Sequence, residues 1–99
     1  MRFEFHPEAL SEYQDAAHYY ANRQAGLERR FMDCVEIAIR RTVANPERWR
    51  KFDGDVRRCL TQVFPYAVLF SVETDYILII AVMHCRREPA YWKNRLKDK

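Results

Sequence analysis

The run Tyr76 to His84, YILIIAVMH, constrains this chain more than any other stretch. Its residues are apolar on both faces of an extended backbone: Leu78, Ile80 and Val82 against Ile77, Ile79 and Ala81. A strand of that kind is expected to lie inside a sheet and not at its edge. The rest of the chain must therefore supply neighbouring strands on both sides of it. Tyr66 to Glu73 is the nearest candidate partner, with Tyr66, Val68, Phe70 and Val72 on one side and Ala67, Leu69, Ser71 and Glu73 on the other. Val56 to Phe64 reads as a further strand. Asp53-Gly54-Asp55, Pro65 and Thr74-Asp75 mark the turns.

The covering layer comes from upstream. Arg2 to His6 alternates Phe3 and Phe5 with Arg2, Glu4 and His6, the period of a short half-buried strand. Pro7 opens a helix where its missing N–H is harmless, and Glu8 and Glu12 suit the positive helix start. Leu10, Tyr13, Ala17 and Tyr20 give that helix one apolar stripe to about Asn22. Gly26 suits a helix end, and a second helix is expected from Leu27 to Ala44. Its inner face is Leu27, Phe31, Cys34, Val35, Ala38, Ile39 and Thr42, its outer face Glu28, Arg29, Asp33, Glu36, Arg40 and Arg41. Asn45-Pro46 ends it. Residues 47 to 55 are a charged connection around Trp49 and Phe52, and Glu88-Pro89 starts a short last helix through Arg95. The expected fold is α+β: an N-terminal strand, a helical hairpin packed on a small, mainly antiparallel twisted sheet, and a short C-terminal helix.

Ninety-nine residues fit one domain spanning 1–99, and a hydrophobic fraction of 48% excludes a disordered chain. The net charge of +3 is unevenly spread. From His84 onward Arg86, Arg87, Lys93, Arg95, Lys97 and Lys99 oppose only Glu88 and Asp98. Arg48, Arg50, Lys51, Arg57 and Arg58 oppose Asp53 and Asp55 in a second basic stretch. Such asymmetry fits a nucleic acid or an acidic partner, with an ordinary solvated surface as the lesser alternative. Cys34, Cys59 and Cys85 are odd in number and lack metal-type spacing, which points to a reducing compartment without a disulfide framework. Met1 to His6 is strand-like and charged, so no leader is expected, and no apolar run approaches the ~18 residues of a membrane span. The expected location is the cytoplasm.

The candidate chemistry sits in HCRREPAYWKNR, from His84 to Arg95. His84 ends the inner strand, sharing in regular register a face with Tyr76, Leu78, Ile80 and Val82, and emerges at the sheet rim. It suits a general acid or base, or a structural histidine bonded to a neighbour. Arg57, Arg58, Arg86, Arg87 and Arg95 are candidate contacts to phosphate or to a protein target. Adjacent arginines on a strand point apart, so one of Arg57 and Arg58 faces a groove and the other finds a carboxylate or solvent. Tyr91 and Trp92 can stack on a base or anchor the last helix; Trp92 reads as the anchor. His6, His18 and His84 are scattered without ligand spacing, and no glycine loop cradles phosphate, so neither metal nor cofactor is expected. An enzyme built from these residues would cleave a phosphodiester without metal, with His84 or Tyr91 moving the proton.

The order of pieces, a strand, a hairpin containing YYANRQAGLERRF, then NPERW, then VRRCLTQVFPYAVLFSVETDYILIIAVMHCRREPAYWKNR, resembles the RelE/ParE superfamily of bacterial type II toxin–antitoxin toxins over nearly the whole chain. The resemblance implies a growth-arresting toxin held inactive by a cognate antitoxin. RelE-like members cut messenger RNA in the ribosomal A site with Lys/Arg residues on the sheet and a C-terminal Tyr. ParE-like members inhibit DNA gyrase. Where the RelE pattern has an arginine directly after the tyrosine of the third strand, Ala67 follows Tyr66 here, and its basic positions on the preceding strand are Arg57 and Cys59. Arg86 or Arg87 and Tyr91 stand for its C-terminal Arg and Tyr, with His84 as an addition. The hairpin and the HCRREPAYW ending look ParE-like. The expectation is a ParE-like gyrase inhibitor. Its alternatives are a ribosome-dependent mRNA endoribonuclease, with His84 and Tyr91 catalytic, and a degenerate non-toxic relative. The expected partners are the antitoxin, in a possible hetero-oligomer, and gyrase or ribosome-bound mRNA. The antitoxin is expected along the hairpin and sheet, paired with Arg57, Arg58 and Arg86.

Overall fold

A computed structural model describes residues 1–98, and of Lys97 and Asp98 the backbone alone; Lys99, one of the basic C-terminal residues, lies outside. Five strands form one sheet in the order β1-β5-β4-β3-β2: β1 (Arg2–Phe5), β2 (Lys51–Asp53), β3 (Val56–Leu60), β4 (Tyr66–Val72) and β5 (Tyr76–His84). β1 lies parallel to β5, and the other pairs are antiparallel. Helices α1 (Pro7–Ala21) and α2 (Leu27–Ala44) form the hairpin. The α+β fold is the one the apolar run demanded, with β5 flanked along its first half by β1 and along its length by β4.

Two cores result, one on each face of the sheet. Ala9, Tyr13, Ala16 and Ala17 of α1 and Phe31, Val35, Ala38 and Ile39 of α2 meet Cys59, Val68, Phe70, Ile77, Ile79 and Val82 on the first. Small alanines let α1 approach β5 closely. Leu10, placed on the inner stripe by the spacing, is instead 39% exposed; Ala9, one residue earlier, takes the inward position, and Ala16 is buried beside Ala17. The second face buries Val56, Ala67, Leu69, Leu78, Ile80, Ala81 and Met83 beneath Trp92 from the C-terminal segment.

A bulge decides which side chain enters which core. Leu69 pairs with Ala81 but Phe70 pairs with Ile79, so β5 carries one extra residue, Ile80, against β4. Beyond that point the alternation of β5 reverses. His84 therefore shares a face with Val82, Ile77 and Ile79, toward the helices, and not with Tyr76, Leu78 and Ile80 as regular register implied.

Four further expectations change. His6 turns inward, 7% exposed, and its Nδ1 caps α1 by accepting from the Glu8 N–H at 3.1 Å. β2 occupies the middle of what read as a charged connection. β3 stops at Leu60 because Gln62 to Phe64 closes a tight three-residue turn, with the Phe64 N–H on the Gln62 carbonyl at 2.8 Å and Val63 at φ 72°. The last element is a 3-10 stretch, Lys93–Asp98, preceded by turns; Pro89 and the anchoring of Trp92 leave no regular helix from Glu88 to Arg95.

Candidate functional site

The C-terminal rim of β5 is the place where sequence-selected residues converge. His84 pairs with Tyr66 across the β4–β5 ladder, and their rings meet edge to face at 5.1 Å. The Arg86 N–H donates to His84 Nδ1 at 3.0 Å and the Arg87 N–H to the His84 carbonyl at 2.9 Å, so the chain turns sharply around the imidazole. That bond places the proton of the neutral ring on Nε2. A cleft of about 310 Å³ opens here, lined by Glu12, Asp15, Tyr19, Tyr66, His84, Arg87 and Tyr91. A second, of about 430 Å³, shares Tyr19, Tyr66 and His84 and adds Tyr20 and Arg23. His84, Arg87 and Tyr91 thus stand together.

Tyr91 packs against the second core and is held by three charged side chains. Its hydroxyl donates to Glu12 Oε2 at 2.6 Å, and the Arg87 and Arg95 guanidinium carbons lie 3.9 and 5.0 Å from its ring centre. Burial, and then the bond to Glu12, raise its pKa beyond the ordinary phenol range. Tyr66 is likewise pushed up to about 12, by burial first and then by Tyr20 and Tyr19. Both phenols stay neutral through the physiological range.

Arg95, expected as a surface contact, is 5% exposed and faces inward. It holds Glu12 bidentately, Nη1 to Oε1 at 2.9 Å and Nη2 to Oε2 at 2.8 Å, and donates to the Ile80 carbonyl at 3.0 Å. Burial by itself would lower its pKa; the bonds and charge of Glu12 outweigh that and raise it. Trp92, 1% exposed, is the anchor its sequence context suggested. Lys93 adds an ion pair to Asp53 at 3.0 Å.

The remaining arginines stand elsewhere. Arg57 pairs with Phe70, near the end of β4 remote from Tyr66 and His84, and donates to the carbonyls of Trp49 at 2.8 Å and Glu47 at 3.2 Å. Arg58 points to the opposite face, 5.0 Å over the Phe52 ring. Arg86 and Arg87 are exposed. Of the two neighbours on β3, one is thus engaged with backbone and the other stacked on an aromatic ring. Ala67, next to Tyr66, is wholly buried in the second core.

Glu12 and Asp15 are the residues that sequence reasoning passed over, Glu12 being credited only with suiting the helix start. The signal was available: Glu12 stands three residues after Ala9 and four before Ala16, so it lies along the buried stripe of α1. The three cysteines are free; Cys59 is buried, which raises its pKa against the lowering pull of Arg41. Among the described residues no group of three or more His, Cys, Asp and Glu side chains could hold a metal, and no helix is long and apolar enough to cross a membrane.

The family described as "ParE toxin of type II toxin-antitoxin system, parDE" matches residues 3–89, from β1 through β5 to the turn after His84. No curated protein matches the chain. With most of its length matched, and with the strand, hairpin and sheet in the expected order, the chain belongs to the ParE toxin family of type II toxin–antitoxin systems.

Proposed function

We propose that this type II toxin, whose family implies a cognate antitoxin as partner, arrests growth by binding DNA gyrase through its C-terminal rim. The observation that carries the reading is the division of the arginines and the engagement of Tyr91. Arg57 is tied to backbone carbonyls away from His84, Arg95 is buried on Glu12, and the Tyr91 proton is committed to a carboxylate. A phosphodiesterase without metal needs charge and proton donors converging on one phosphate. Here Arg86 and Arg87 lie on an exposed turn beside an aromatic cleft, Arg87 over the Tyr91 ring, the composition of a protein-contact surface. The antitoxin then neutralises the toxin by covering the hairpin, the sheet and that rim, with Arg58 and Arg86 available for charge pairing.

Cleavage of ribosome-bound mRNA is the competing reading, and the cleft uniting His84, Arg87 and Tyr91 is what favours it. Inducible expression of the wild type, His84→Ala and Tyr91→Phe separates the two. For a gyrase binder Tyr91→Phe keeps growth arrest, because the ring and the Arg95–Glu12 pair remain, while Arg86→Ala with Arg87→Ala weakens it. For a nuclease, loss of the proton-transfer residue lowers cleavage by ~10²–10⁴-fold. Full activity of both the His84 and Tyr91 variants removes the catalytic reading; normal growth with the wild type marks a relative that has lost toxicity.

A further inference from the structure

β1 is too short to cover β5. Its pairing ends at Phe5–Ile79, with one last bond from the His6 N–H to the Ile79 carbonyl at 2.9 Å, and the chain then turns into α1. The Ile80 carbonyl and the Val82 N–H lie beyond the last residue of β5 that pairs with β1. They are met by side chains. Arg95 donates to the Ile80 carbonyl at 3.0 Å and Glu12 Oε1 accepts from the Val82 N–H at 3.1 Å. The two side chains close on each other bidentately, at 2.9 and 2.8 Å, and Tyr91 adds its hydroxyl at 2.6 Å. One carboxylate, its side chain 16% exposed, thus receives four hydrogen bonds from β5 and the C-terminal segment while it stands on α1.

We infer that Glu12 is a positioning residue: with Arg95 it stands in for the missing part of the edge strand, and it locks residues 91–96 against β5 so that Arg87 and Tyr91 hold their places beside His84. The segment has little regular structure of its own, a few turn bonds and a short 3-10 stretch. Its place is set by side-chain anchors: Trp92 and Leu96 at the second core, Lys93 on Asp53 at the surface, and Tyr91 with Arg95 on Glu12. Lys93 and Asp53 are each about half exposed, so that pair holds the segment weakly. Trp92 fixes where the segment lies; the Glu12 cluster fixes which way Tyr91 and Arg87 face. The functional half of this inference rests on the rim being the contact surface proposed above.

Hydrogen exchange and growth arrest, measured on the full chain, test it. In Glu12→Ala the Val82 amide and the Lys93 and Arg95 amides should exchange at least ~10-fold faster, because a charge-assisted bond and an ion pair are lost locally. Amides of α2 and of Val68 and Phe70 should keep their wild-type rates, and growth arrest should fall at least ~10-fold. Should Glu12→Ala fail to fold, Glu12→Gln with Arg95→Met leaves no unpaired buried charge; there segment protection and growth arrest should fall while the global transition stays near wild type. Unchanged segment protection overturns the inference, as does uniform loss of protection across the sheet in the double variant. Release of the segment with growth arrest intact overturns it too. Growth arrest is read whatever the target, so a wild-type toxin that spares purified gyrase refutes the gyrase reading alone.

Discussion

Val63 carries the clearest local cost in the chain. A β-branched residue at φ 72°, centred in a three-residue turn and 81% exposed, is strained for no packing return. Val63→Gly should stabilise the protein by about 1 kcal/mol, the relief of strain outweighing the added freedom of the unfolded chain. Urea denaturation reads the change, and a lower midpoint would refute it. At Tyr91, loss of the hydroxyl removes one charge-assisted bond to a carboxylate already held by Arg95 and Val82, so Tyr91→Phe should cost about 1–2 kcal/mol. Single side chains were the least legible part of the sequence. His84 was placed on the wrong face because alternation carries no mark of the bulge at Ile80. Arg95 read as a surface charge because its partner, Glu12, is eighty-three positions away.

At the scale of elements, sequence signals succeeded wherever one residue type had a single conformational use. Pro7 at the start of α1, the Leu27–Ala44 span of α2 and the Tyr76–His84 span of β5 appear as read. Gly26, read as suited to a helix end, instead precedes α2 at φ 83°, four residues after the Asn22 cap of α1, and an added Cβ would meet nothing within 4 Å. Gly26→Ala should therefore cost about 1–2 kcal/mol from backbone conformation alone, read as a lower melting temperature with unchanged helix content. The C-terminal segment misled because its start signal, Glu88-Pro89, is genuine turn chemistry but its order comes from distant anchors. Trp92→Ala should cost about 3–5 kcal/mol, as expected for a fully buried indole, and should expose the segment to trypsin at Arg86, Arg87 and Lys93. β2 went unread because its short Lys-Phe-Asp stretch is an edge strand, paired on one side and charged on the other.

For the molecule as a whole, the burial of phenols sets its tolerance of alkali. Tyr13, Tyr20, Tyr66 and Tyr91 all have pKa values raised above the ordinary 10.0, chiefly by burial. A raised folded pKa means that the unfolded chain loses its phenolic protons first. This contribution to stability is therefore complete below pH 10 and declines above it, through about 12 for Tyr66. Denaturation midpoints should be flat with respect to these groups below pH 10 and fall above it; with Tyr19→Phe and Tyr76→Phe in place, phenolate absorbance appearing only with unfolding checks the cause. The fold was legible because an inner apolar strand, its alternating neighbours and two amphipathic helical stripes fit together as one helical hairpin on one sheet; the second core under Trp92 was not read. The site was half legible, since His84, Arg87 and Tyr91 do converge, but the carboxylate organising them lay in a helix read only for its apolar stripe. On the proposed reading this surface binds gyrase and is not a nuclease centre. The direct measurement is supercoiling by purified gyrase with the toxin added, beside a ribosome-bound mRNA cleavage assay on the same preparation. Blocked supercoiling, relieved by the cognate antitoxin, with intact mRNA is the result expected. Unimpeded supercoiling with mRNA cut inside the ribosome would contradict it.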